Sequence, residues 1–416
     1  MNNVMFSSTR QWNPGDEFIL FGCQKLLTRI LGPFNSILYD RNPDIRPVLG
    51  DGGFRRLEPN LLSPEMQKLD AVFRLGFNSN SVKYDSDLSY LSFAVQAGSP
   101  ECFCVKNDNF FSHIAVNNIP LLILGCGGVP EPLEERYISL CKKALAITVR
   151  AENIVQQLEK YDIPATYFPC PALFCAPPGS EKTIEEVQNI ALVFILKQDQ
   201  TVSFQGCNET TFTTLMQFYE TILKIYRSQY RFTIVCHYID ELPAATIFAR
   251  QYGLDVRYSF DSKDYFEIYK TFDLVISPRV HACGIASSLG IPSLAIGHDF
   301  RSSTVVGFQS EILNLSDSQE QNIQKFSNLL HRVPEKNTFL KEYKARNFHA
   351  YCSFLEEKIK QRTTPSYEKY AEQQVISTQT LKDSKILSLS LIILRIIAVI
   401  FKIQTKLQSP NVSKKK

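Results

Sequence analysis

The sequence predicts an α/β fold: two Rossmann-like units, each with a parallel sheet, facing each other across a cleft. Three observations carry this. Short apolar runs alternate with helix-length segments along most of the chain, the pattern of strands joined by crossover helices. A Pro-, Gly- and Ser-rich stretch, "CAPPGSEKT" at residues 175–183, divides that pattern into two sets. And 416 residues are enough for two domains with sizeable cores.

In chain order, "NVMFSST" reads as a first strand and "DEFILFGCQKLLTRIL" as the helix after it. "SILYD", "AVFRLG", "PLLILG", "ALAITV" and "ATYFPC" follow as strands, with "EERYISLCKKA" and "AENIVQQLEKY" as helices between them. This unit is expected to span residues 1–174. A second unit, residues 184–334, opens with the strand "IALVFIL" and the helix "ETTFTTLMQFYETILKIYRSQ". The strand "RFTIVCHY" and the helix "LPAATIFARQYG", stopped by Gly253, come next. "DVRYSF" is a strand candidate, "DSKDYFEIYKTF" a helix with an Asp cap, and "DLVIS" and "PSLAIG" the closing strands. After Pro334, residues 335–361 read as a long helix and 362–385 as a polar linker.

Residues 386–416 are apolar, then basic. Between Ile386 and Phe401 only Ser388, Ser390 and Arg395 interrupt the apolar run. That is slightly short of the roughly 20 residues a spanning helix needs, and Arg395 near its middle is costly against lipid. Lys402, Lys406 and Lys414 to Lys416 suit an anionic bilayer face. A membrane-associated or re-entrant anchor is the preferred reading, over a helix buried on a partner and over a true span.

The net charge of +3 argues against a nucleic-acid partner, and 44% hydrophobic with 21% charged residues is ordinary for a folded protein. The eleven cysteines lack C-x-x-C zinc spacing and read as core residues of a reducing compartment. No metal site is expected. "MNNVMFSSTRQWNPGDE" lacks the basic-then-apolar order of a secretory signal, so a cytoplasmic location is expected.

The chemistry concentrates in "ISPRVHACGIASSLGIPSLAIGHD", Ile276 to Asp299. A buried strand ends at Ser277, Pro278 suits a helix's first turn, and Gly290 suits its end. Arg279 and His281 thus fall where open α/β sheets bind ligands. A helix N-terminus there favours an anion, arginine adds a bidentate grip, and histidine moves protons near neutral pH. The small residues Ala282 to Ser288 let the helix approach the sheet closely.

This stretch, continued through "RSSTVVGF", resembles the C-terminal signature of the polysaccharide pyruvyl transferase family. "NPGDEFIL" resembles the family's N-x-G-D-E-x-[IL]-L, and "ILGCGGVPEP" its G-x-G-x-P. "ALAITVRAENIVQQLEKYDI" resembles its I-x-x-R-D motif, with Ala151 and Val155 where Asp and Ser are usual. The family's early G-G-G stretch corresponds to "RLGFNSNSV", which holds only Gly76. The resemblance covers about residues 3–330.

It implies a GT-B-like fold and transfer of pyruvate from phosphoenolpyruvate (PEP) to a sugar as a ketal. No cofactor is implied beyond PEP as co-substrate. The acceptor is a sugar of a polysaccharide or of a lipid-linked oligosaccharide, the latter suiting a membrane-associated tail. Arg279 and His281 carry over from the R-x-H as catalytic candidates, and Asp16 joins them at the first strand-to-helix turn. Substrate-binding candidates are Asn13, Gly15, Gly125, Arg150, Lys197, Asp299 and Arg301. His298 adjoins the last loop, while His113, His237, His331 and His349 read as structural. Two alternatives remain: a GT-B glycosyltransferase using a nucleotide sugar, with Asp261 or Asp264 on the ribose, and a degenerate non-catalytic relative.

Overall fold

A computed structural model describes residues 2–8, 14–40, 91–98, 103, 108–198, 206–297 and 300–361. In the first half the strands are β1 (Asn2–Ser8), β2 (Phe34–Asp40), β3 (Phe93–Ala97), β4 (Leu121–Cys126), β5 (Ala146–Val149) and β6 (Thr166–Tyr167). The helices are α1 (Pro14–Leu31), α2 (Asp108–Val116), α3 (Glu135–Lys143) and α4 (Glu152–Glu159). The second half has β7 (Asn189–Val193), β8 (Arg231–Val235), β9 (Asp255–Arg257), β10 (Leu274–Ser277), β11 (Ser293–Gly297) and β12 (Glu311–Asn314). Its helices are α5 (Glu209–Tyr226), α6 (Leu242–Tyr252), α7 (Asp264–Lys270), α8 (Val280–Ser288) and α9 (Gln319–Lys360).

The strands form two separate parallel sheets, ordered β2-β1-β3-β4-β5-β6 and β12-β11-β10-β7-β8-β9. Their central strands are mainly apolar and buried because helices cover both faces, with Gln96, Ser7 and Ser277 among the buried polar exceptions. Every residue of β4 is buried. In the second sheet the order reverses between β7 and β10, and in the first between β1 and β3. At such switch points neighbouring crossovers leave on opposite faces, and a crevice opens at the strands' carboxyl ends.

The helices begin and end as their residues dictate. α1 opens on Pro14, with Asp16 and Glu17 in its first turn and Arg29 in its last, matching the helix dipole. α6 closes on Gly253 at φ 66°, and Gly290 follows α8 at φ 77°, the left-handed conformation that favours glycine.

Several expectations change. β3, α2 and β12 are additional elements. The helix expected over 335–361 begins at Gln319, with a capping box between Ser318 and Gln321, and carries Pro334 inside it. A proline interrupts helix bonding at a cost of about 3 kcal/mol. Here Phe326, Leu329, Leu330, Val333 and Leu340 bury a stripe on both sides of it, and each such side chain contributes about 1.5–3 kcal/mol. The Asp cap expected before α7 is also absent. Lys263 holds that position without a side-chain capping bond, and Asp261 instead accepts from the Lys263 N–H at 2.9 Å. The stretch 175–183 exposes Pro177, Pro178 and Gly179 and is held down on either side of them. Cys175 and Ala176 are buried, and Lys182 pairs with Asp273 at 2.6 Å.

The halves touch directly. Phe18 of α1 meets Tyr265 and Phe266 at ring centroid distances of 6.3 and 6.1 Å, and the Ser262 hydroxyl donates to the buried Glu17. α9 returns from the second sheet to the first. There Tyr351 stacks on Phe168 at 4.3 Å and shares a hydrogen bond with Thr148 of β5. The strand candidate "AVFRLG", Gly76 and residues 362–416 lie outside the described residues. Among the described residues no helix is long and apolar enough to cross a membrane.

Candidate functional site

The switch point of the second sheet is held by a polar knot. Arg279 lies just past β10. Its Nε donates to the carbonyl of Phe194, just past β7, at 3.2 Å. The guanidinium therefore bridges the two strands where the order reverses. Tyr219 of α5 closes the same gap from below, its hydroxyl donating to Val193 O at 2.8 Å. The Arg279 Nη2 pairs with Glu241, and its guanidinium carbon lies 4.6 Å from the centre of the Tyr238 ring. Glu241 also accepts the backbone N–H of His237 at 2.8 Å and of Tyr238 at 3.1 Å. Burial pushes its carboxyl up, while the guanidinium and those N–H groups pull it back.

Arg279 was expected to grip a ligand anion directly. Its side chain is only 3% exposed, and its carboxylate partner belongs to the chain. The geometry makes it a brace that fixes the junction. Its charge still acts nearby, because a buried charge is weakly screened. The physical reason is Glu241, which lies far away in sequence and reaches the arginine only through the fold.

His281 sits in the first turn of α8 and faces the first turn of α1. A Cβ on Gly15 would fall 2.7 Å from the His281 Cβ and 2.9 Å from its Nδ1. Glycine is needed there because any side chain would displace the imidazole. Two helix N-termini, one from each sheet's switch point, therefore meet at His281. Asp16, next to Gly15, is buried, and its carbonyl accepts from the Ser8 hydroxyl at 3.2 Å.

Arg150 follows β5 and is 5% exposed. Its guanidinium lies under the glycine turn after β4, where a Cβ on Gly127 would sit 2.2 Å from Nη2. Its Nε has no hydrogen-bond partner among the described residues. Cys170 is buried beside Arg150. Burial pushes its thiol up, the Arg150 charge pulls it back, and the Asp16 charge pushes with burial. Gly125 takes φ 71°, and its N–H donates to Thr148 Oγ1 at 2.9 Å.

The structure thus brings Gly15 and His281 together at the contact between the halves, with Asp16 next to Gly15 and Arg279 at the N-cap of the His281 helix, while Arg150 lies with Gly127 and Gly125 at the carboxyl ends of β4 and β5. Lys197 pairs with Glu209 at 3.2 Å. Arg301 belongs to the 3-10 turn Phe300–Phe308. Asn13, His298 and Asp299 lie outside the described residues. Asp264, a ribose candidate, accepts from the Ser259 hydroxyl at 2.6 Å.

Sequence reasoning missed Glu241 and His237. His237 reads as structural in sequence, yet it directly follows the buried run of β8 and Cys236 and packs against His281 with ring centroids 4.6 Å apart. The positional rule that selected Arg150 also selects His237. Glu241 carries no such signal. The nine described cysteines are all buried and unpaired by disulfides.

Two parallel sheets, with polar residues at their switch points, define an α/β architecture of the GT-B-like kind. The polysaccharide pyruvyl transferase family profile matches residues 13–300, and the chain belongs to that family. No curated protein matches it by sequence. A protein described as a UDP-N-acetylglucosamine 2-epimerase from Listeria monocytogenes is similar in fold, with TM-score 0.50 and 13% identity over 90% of this chain and 94% of its own. The UDP-GlcNAc 2-epimerase of Neisseria meningitidis, solved with UDP-GlcNAc, gives TM-score 0.49 and 10% identity over 86% of this chain and 100% of its own. WaaG, a glycosyltransferase of lipopolysaccharide biosynthesis, gives 0.35 and 12% over 89% and 98%. At 13% identity the likeness to the Listeria protein speaks to fold alone.

Proposed function

We propose that this chain transfers the pyruvyl group of PEP to two hydroxyls of a sugar, forming a cyclic ketal and releasing phosphate. The observation that carries the reading is His281 in the first turn of α8, seated against Gly15 in the first turn of α1. PEP brings a phosphate and a carboxylate. Two helix N-termini and the buried charges of Arg150 and Arg279 suit such a ligand.

In this reading a proton from the first sugar hydroxyl passes through His281 to carbon 3 of PEP. The oxygen bonds to carbon 2, which protonation has made electrophilic. The C2–O bond to phosphate breaks, phosphate keeps the electron pair, and it takes the proton of the second hydroxyl as that oxygen closes the ketal. Arg150, with its unpartnered Nε, meets the anion. Asp16 serves the acceptor hydroxyls. The apolar and then basic residues 386–416 favour a lipid-linked acceptor at the cytoplasmic membrane face.

The test is thermal unfolding of the full chain with PEP, with inorganic phosphate and with UDP-N-acetylglucosamine. A ligand at about a hundred times its Kd adds roughly 2.7 kcal/mol. Stabilisation by PEP, lost in Arg150→Ala, is expected, together with acceptor-dependent phosphate release that disappears in His281→Ala. Stabilisation by the nucleotide sugar and not by PEP overturns the reading.

A further inference from the structure

His237 is 2% exposed and stands at the carboxyl end of β8, beside the switch point. Its ring lies 4.6 Å from that of His281, tilted by 31°. On another side the Tyr265 ring lies 4.7 Å away. Nε2 shares a 2.7 Å hydrogen bond with the Tyr269 hydroxyl, while Nδ1 has no partner among the described residues. The ring is therefore anchored through one nitrogen. Its backbone N–H is anchored separately, on the Glu241 carboxylate that also holds Arg279.

The groups around this imidazole are Tyr265, Tyr269 and His281, with the Arg279 charge close enough to act on it. Burial, with the Arg279 charge adding, holds its pKa well below the usual range, so the ring is neutral at neutral pH. A neutral ring can pack beside Arg279 and an ionisable histidine without adding repulsion. His281 is enclosed by this ring and by Gly15, which belong to opposite halves of the molecule.

We propose that His237 is a positioning residue. It is the packing surface that limits rotation of the His281 imidazole for proton transfer, with Tyr269 as its anchor. This rests on reading His281 as the proton-transfer group. A reacting group misplaced by about 1 Å costs on the order of 10²-fold in rate, so a restrained ring has catalytic value.

The experiment combines histidine-ring NMR of the full, ligand-free chain with steady-state phosphate release from PEP. The variants are His237→Ala, His237→Phe and Tyr269→Phe. In the wild type His281 gives one sharp set of ring signals. His237→Ala broadens or doubles that set and lowers kcat on the order of 10²-fold, with KM for PEP changed by less than about threefold. His237→Phe keeps the packing surface and restores both readouts to within about tenfold of wild type. If His237→Ala does not fold, Tyr269→Phe carries the test, because it releases the ring's one anchor and broadens the His281 signals. Unchanged His281 signals in folded His237→Ala or in Tyr269→Phe overturn the proposal, as does His237→Phe impaired as deeply as His237→Ala. Absence of PEP turnover in the wild type would remove the pyruvyl-transfer reading, and the NMR comparison would still decide whether His237 positions His281.

Discussion

Glu241 has no exposed surface and holds three donors: the Arg279 guanidinium and the N–H groups of His237 and Tyr238. Removing one partner of a buried pair leaves the other charge uncompensated, a loss of about 3–5 kcal/mol. Glu241→Ala is expected to lose that much in denaturant unfolding, and Glu241→Met combined with Arg279→Met to regain much of it. A single variant near wild-type stability would mean that the pair contributes nothing. His113 gives a second prediction. Burial holds its imidazole down at about 4, against an ordinary 6.5. As pH falls through about 6.5 the unfolded chain takes up a proton that the native ring refuses, so stability falls on acidification. The fall ends near pH 4, where the native ring also charges, and amounts to roughly 3 kcal/mol. Urea midpoints at pH 7 and 4.5 should converge in His113→Asn relative to wild type. A variant as acid-sensitive as the wild type would assign the loss to other groups, His237 first.

Secondary-structure elements here are fixed more by what they touch than by their own propensity. In α1, Gly22→Ala should help by about 1 kcal/mol on helix propensity alone. Yet its Cβ would fall 1.8 Å from the carbonyl oxygen of Pro171. Overpacking against backbone costs about 1–3 kcal/mol or more. A lowered melting temperature is therefore expected, and a raised one would show that α1 can move away from the 3-10 turn Pro171–Phe174. Gly15→Ala should act differently, displacing His281 and cutting turnover at least tenfold, on the order expected for misplacement of a reacting group. α9 teaches the same lesson from the other direction. Pro334 is a stop signal in sequence, but the apolar stripe through Phe326 and Val333 continues past it and keeps the helix whole.

Across the whole molecule, α9 ties the two sheets together. Asn337 Nδ2 donates to the carbonyls of Gly290 and Lys182 at 2.7 and 2.9 Å, holding the helix to the second half. Further along, Tyr351 stacks on Phe168 and bonds Thr148, which in turn receives the Gly125 N–H beside the candidate site. Truncating a fully buried aromatic costs about 3–5 kcal/mol, and removing only its hydroxyl about 0.5–1.5 kcal/mol. Tyr351→Ala is thus expected to raise hydrogen exchange in both β5 and the turn after β4, and Tyr351→Phe to raise it slightly. Exchange confined to α9 would show that the helix end is decoration on the first sheet.

The sequence by itself determined the alternation of strands and helices, the division into two sheets and the junctions that carry Arg279, His281, Asp16 and Arg150. These are local signals: apolar runs, proline and glycine punctuation, and the rule that ligands meet strand carboxyl ends. Short or weakly apolar elements such as β3 and β12 escaped because sheet pairing, not propensity, makes them strands. Tertiary structure decided which charges are free. Arg279 reads as a ligand grip until Glu241 closes on it, and His237 reads as structural until the sheet lays it on His281. Such pairings depend on distances between residues remote in sequence, and burial sets their energy. Neither quantity exists before the chain folds.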